Sequence, residues 1–139
     1  MKDLIAMVGA LGIGGLITSY FTMLWNQRKN VSEKHHEMKD KRYKCIILLM
    51  QASLDFDKYK SILHSQGYGY LSSESDLVDL LNDEYVNSFL FASDEFIHCM
   101  SKFIRSRTHE NLVKSALSMR KDLYGVKTKL TLEQVLRNA

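Results

Sequence analysis

LIAMVGALGIGGLITSYFTMLW, the 22 residues from Leu4 to Trp25, carries no formal charge and decides the architecture. At about 1.5 Å of rise per residue such a run makes a helix of about 33 Å, enough to cross a hydrocarbon core of about 30 Å. Gly9, Gly12, Gly14 and Gly15 would weaken a helix in water. In lipid they are tolerated, because a spanning segment must satisfy its backbone internally and a helix does so. Tyr20 and Trp25 stand toward the C-terminal end, where amphipathic rings favour the interface. A cleaved leader is the competing reading. Leaders have shorter apolar regions followed by small residues, whereas this run ends in bulky ones, so a retained anchor is expected.

Charge flanking the run sets its direction. Lys2 and Asp3 precede it, while Arg28, Lys29, Lys34, Lys39, Lys41, Arg42 and Lys44 follow. Positive flanks stay in the cytoplasm, which places the N-terminus outside and the rest of the chain inside. Arg28 and Lys29 lie close enough to attract anionic headgroups, and they serve equally as topology determinants. Within the run Ala6, Ala10, Gly14 and Thr18 recur every four residues. Such a seam allows close backbone approach between two copies, and hence a homo-oligomer.

Beyond the anchor the sequence predicts an all-α fold, in which the transmembrane helix continues into a cytoplasmic bundle of about four to five helices. The expected divisions are an anchor over 1–27, a basic juxtamembrane helix over 28–44 and a bundle over 45–139. The whole chain of 139 residues has no proline, which removes the strongest helix breaker. The first helix should run on past Asn30, with or without a kink, to about Leu54. Its segment Cys45–Met50 is apolar all round and should be central in the core. Asp55 and Asp57 can cap a short helix through Leu63, and Gly67-Tyr68-Gly69-Tyr70 reads as a loop. Ser72, Ser73 and Ser75 offer caps for a segment in which Leu77, Leu81, Tyr85, Phe89, Ala92, Phe96, Cys99 and Phe103 recur at helical spacing. That segment is one helix, or two with a break near Ala92. Thr108 can cap a further helix stopped by Gly125, and Thr131 to Gln134 has the form of a capping box for a last one.

The net charge of +3 is small, and acids dilute the basic segment, so nucleic acid is not an expected partner. Two cysteines, Cys45 and Cys99, are too few for a disulfide scaffold and read as buried free thiols. His35 and His36 are adjacent and point to different helix faces. His64, His98 and His109 are isolated, so neither a metal nor another cofactor is implied. The glycines of GALGIGG lie inside the apolar run and not after a strand, which excludes a dinucleotide loop. One polar constellation remains. Arg120 falls beside the apolar face of its helix in the row Val113, Leu117, Arg120, Tyr124. A guanidinium there should seek a carboxylate, and Asp94 or Glu95 would supply it as a buried ion pair.

The anchor together with KDKRYKCIILLM (39–50), LFASDEFI (90–97) and SMRKDLYG (118–125) resembles small membrane-anchored helical proteins of bacterial genomes. The resemblance implies an inner-membrane location and brings no activity or functional residues with it. The functional expectation is a membrane-tethered, non-enzymatic interaction or regulatory module with an unknown cytoplasmic protein partner. The alternative is a small membrane effector, of defence or toxin type, whose transmembrane helices assemble and perturb the bilayer.

Overall fold

The computed structural model describes the backbone of residues 2–126, 129–130 and 132–136, with side chains from residue 18 onward apart from 132 and 136. Among these residues the fold is all-helical. Six α-helices follow one another: α1 (Lys2–Ala52), α2 (Phe56–Leu63), α3 (Glu74–Ser88), α4 (Asp94–Arg105), α5 (His109–Tyr124) and α6 (Leu132–Leu136). The chain forms two compact units, residues 1–38 and 39–139, and the boundary falls inside the basic segment expected over 28–44. Among the described residues no helix is long and apolar enough to cross a membrane. The expected span lies, as far as residue 17, outside the residues whose side chains are described.

In the first unit α1 is helical through Asn30, so the polar residues that follow Trp25 do not interrupt it. Its described side chains are largely exposed, and Lys29 pairs with Glu33 one turn on at 3.8 Å.

The second unit is a helical bundle. Ile46, Leu49 and Met50 of α1 are fully buried, as the apolar segment Cys45–Met50 demands, and Cys45 itself is half-buried. They meet Leu77 and Leu81 of α3, Phe96, Met100 and Phe103 of α4, and Met119 of α5 in one core. Burying each such side chain is worth about 1.5–3 kcal/mol, so this cluster supplies the bulk of the favourable free energy.

Each helix starts where a short polar side chain can take an orphan amide. Asp55 accepts from the Lys58 amide at 3.2 Å, Ser93 from Phe96 at 3.3 Å and Thr108 from Asn111 at 3.2 Å. Ser73 and Asp76 cap each other's amides in a capping box at α3. Asp76 also accepts the Ser72 hydroxyl at 2.8 Å, and the hydroxyl and amide bonds from Ser72 and Ser73 hold its carboxyl below the usual range. Gly125 ends α5 in the left-handed region at φ 64°, where a side chain would be strained. Thr131, expected to cap the last helix, lies outside the described residues.

Two expectations are corrected. Residues 67–70 are not a plain loop. α2 runs into a π-helical turn, His64–Tyr68, that is broken at Gly67 by a φ of 90°. Phe89 does not continue the apolar row of Leu77 and Leu81. α3 stops at Ser88, and the chain turns through bonds from the Phe89, Leu90 and Phe91 amides to the carbonyls of Val86, Asn87 and Ser88. The turn swings Phe89 outward, leaving it 58% exposed.

Replacing Phe96, which is fully buried, should cost far more than straining a cap. In chemical denaturation of the full chain, Phe96→Ala is expected to lose about 3–5 kcal/mol and Gly125→Ala about 1 kcal/mol.

Candidate functional site

The polar centre of the bundle is built on Asp122 in the last turn of α5. Two features of the chain bring it inward. Ser115, Ser118 and Asp122 recur at helical spacing along the buried side of α5, and both serines are buried. On α1, Lys39, Tyr43, Ile46 and Met50 share one face, so a lysine and a phenol sit at the rim of the stripe that fills the core.

The carboxylate joins three elements. Lys39 Nζ donates to Asp122 Oδ1 at 2.8 Å, and the two side chains are each 14% exposed. The Tyr43 hydroxyl and the Ser93 backbone amide, the latter at 2.9 Å, both donate to Oδ2. Ser93 is also the cap of α4, so the carboxylate lies against the positive end of that helix. Tyr43 packs against two rings, Phe96 at 4.9 Å and Phe91 at 5.7 Å between centroids. Lys39 Nζ stands 5.9 Å from the same ring.

Burial alone would raise the Asp122 carboxyl. The bonds from Lys39, Tyr43 and Ser93 outweigh it and leave the carboxyl below its usual range. Tyr43 moves the other way: burial, and then the adjacent carboxylate, push its hydroxyl well above the ordinary phenol value. The phenol is thus a fixed donor at any physiological pH and not a general base. Ammonium, phenol and amide are all directed at one carboxylate. The arrangement is a structural clasp between α1, α4 and α5.

Arg120, Asp94 and Glu95 do not form the expected buried pair; all three are exposed. Glu95 bonds Lys121, a surface pair with both side chains about half exposed. The helix register explains the correction. Among the adjacent residues Arg120, Lys121 and Asp122 only the last is carried into the core, and its partner comes from α1, not from α4. The sequence signal was the placement of Lys39 and Tyr43 on the core face of α1, which calls for a carboxylate opposite.

Of the other expected residues, Arg28 and Lys29 are exposed and Thr18 is exposed on α1. Ala6, Ala10 and Gly14 lie outside the residues whose side chains are described. Tyr68, whose hydroxyl burial and a bond with half-buried Cys45 push up to about 12, forms a smaller polar contact beside the π-helical turn. A crevice between α2 and α5 is lined by Gln51, Leu54, Asp55, Lys58, Tyr59 and His109. Its carboxylate, Asp55, is already used as a helix cap. Among the described residues no three of His, Cys, Asp or Glu converge in a way that could hold a metal.

A more conspicuous surface lies at the end of α3. Val86, Phe89 and Leu90, at positions i, i+3 and i+4, are 64, 58 and 85% exposed. Phe89 is braced edge-on by Tyr85 at 5.3 Å between centroids. The next residue but one, Phe91, packs on Tyr43, so this apolar knob stands beside the clasp.

Removing the carboxylate leaves a buried ammonium, phenol and amide without an acceptor. Asp122→Ala is expected to cost about 2–4 kcal/mol, whereas Arg120→Ala should stay within about 0.5 kcal/mol, both read by urea denaturation. The pH dependence follows from the lowered carboxyl. Its stabilisation is complete above the unfolded value of about 4 and is lost as pH falls through the folded one. The loss between about pH 5 and pH 2 should therefore be smaller in Asp122→Asn than in the parent, as a thermal-melt series would record.

No family model, no curated protein and no solved structure matches the chain.

Proposed function

We propose that this protein is a membrane-tethered, non-enzymatic interaction module. The uncharged run Leu4–Trp25 is its anchor, the basic residues after it stay cytoplasmic, and the helical unit 39–139 presents a binding surface to a cytoplasmic protein. The observation that carries this reading is the exposed knob of Val86, Phe89 and Leu90. Exposing large apolar side chains together is unfavourable for a surface with no partner, and such patches mark interaction sites. The clasp supports the same reading. It fixes the turn that holds Phe91, and so presents the neighbouring residues on a rigid base, which lowers the entropy lost on binding. A tether adds to this by confining the protein and raising its local concentration at the membrane.

The reading is tested by in-cell crosslinking of the full-length protein with mass spectrometry, after alkaline extraction has established membrane retention. A Phe89→Asp/Leu90→Asp double variant should keep its thermal stability, because both side chains are exposed. It should lose capture of the discrete protein partner by about 10-fold or more, as expected for residues at the centre of an interface. Undiminished capture by the double variant would remove this surface from consideration, and release of the chain by alkali would remove the anchor.

A further inference from the structure

Along α1 the side chains of Thr18, Ser19, Thr22, Asn26, Gln27 and Asn30 line one shallow groove together with Met23. Thr18, Thr22, Asn26 and Asn30 lie four residues apart and share a side of the helix, with Ser19, Met23 and Gln27, also spaced by four, in the neighbouring row. The groove contains hydroxyls and carboxamides and no charge. The rings of Tyr20, Phe21 and Trp25, exposed at 62, 66 and 74%, stand outside it. The Thr22 hydroxyl is satisfied by the Thr18 carbonyl at 2.8 Å. The carboxamides of Asn26 and Asn30 bond nothing among the described residues of their own chain.

Where water is scarce, polar side chains of this kind associate with other helices. We propose that this groove is a self-association face, on which a second copy of the chain lies parallel and in register so that Asn26 meets its counterpart. The inference deepens the membrane reading above and rests on it, since a shared anchor is what sets the two chains in one direction. Chemistry selects a second copy as the occupant. A carboxamide both donates and accepts, so a two-fold pair of Asn26 satisfies itself, whereas an apolar partner would leave its bonds unmade. A lone polar residue in such a seam also fixes register.

Beyond the groove Lys29 and Glu33 repeat the positions of Thr22 and Asn26 seven residues on, and their pairing within the chain at 3.8 Å balances the charge that each copy presents there. Thr18, the last of the four-residue row that begins at Ala6, is also the first residue of this groove, which carries the contact out of the apolar run without a change of face.

The test uses the full-length protein in vesicles of phosphatidylcholine and phosphatidylglycerol, with Cys45→Ser and Cys99→Ser removing the native thiols. Single cysteines are then placed by Thr22→Cys in the groove and by Leu24→Cys or Arg28→Cys on the opposite side. Oxidation should give disulfide dimers several-fold more abundantly at the first position than at the other two. Adding Asn26→Ala and Asn30→Ala to the Thr22→Cys chain should lower that yield by about 3- to 10-fold, the range for one or two interhelical hydrogen bonds. Equal yields at all three positions, a preference for the opposite side, or indifference to the two asparagines would each overturn the proposal. If the chain floats with the vesicles yet shows no groove preference, the self-association face alone fails. If it does not float, the anchor fails, and the parallel pair with it.

Discussion

A single carboxylate bonded by an ammonium, a phenol and a backbone amide holds three helices of the bundle in one arrangement. The favourable free energy comes mostly from apolar burial around Ile46, Leu49, Phe96 and Phe103. Apolar burial fixes which face of α1 meets the core, but it discriminates small shifts of register less sharply than a directional bond does. Asp122 supplies such bonds. Moving α1 by one residue would carry Lys39 and Tyr43 away from the carboxylate and leave a nearly buried charge without a counterion, a cost of several kcal/mol. The net contribution of the ion pair to stability is small beside the core. Its directional bonds instead tie the register of α1 to that of α5.

What the sequence revealed and what it hid follow a physical division. Local rules were readable. Ser93 and Thr108 as caps, Gly125 as a left-handed stop and the all-apolar segment Cys45–Met50 as core all depend on residues within a turn or two of each other. The clasp was not readable from its own helix. Arg120, Lys121 and Asp122 offer three consecutive charged side chains, and a rotation of about 100° per residue decides which of them is buried. That choice is made by Lys39, 83 positions away. Phe89 failed for a related reason. Its spacing continues the row of Leu77 and Leu81, but the helix carrying that row has already ended at Ser88, so periodicity was extended across a turn it could not sense.

The same division bears on function. The clasp directs an ammonium, a phenol and a backbone amide at one acceptor. The exposed apolar residues lie instead on the turn next to it. Rigid support beneath and unsatisfied apolar surface above is an arrangement suited to presenting a contact, and it differs from a pocket in offering a convex feature for another protein to enclose.

The short connection between α4 and α5 has a consequence for how the bundle assembles. These two helices pack closely on each other, and only residues 106–108 separate them. Thr108 caps the second helix, and Asn111 ties back to the Ser106 carbonyl at 2.8 Å. A hairpin of this kind closes a small loop and forms rapidly from contacts near in sequence. Docking of α1 onto it closes a loop several times longer, and it is completed only when Lys39 and Tyr43 reach Asp122. Contacts near in sequence favour the hairpin as the unit that forms faster, and the long loop closed by α1 carries the larger entropic cost.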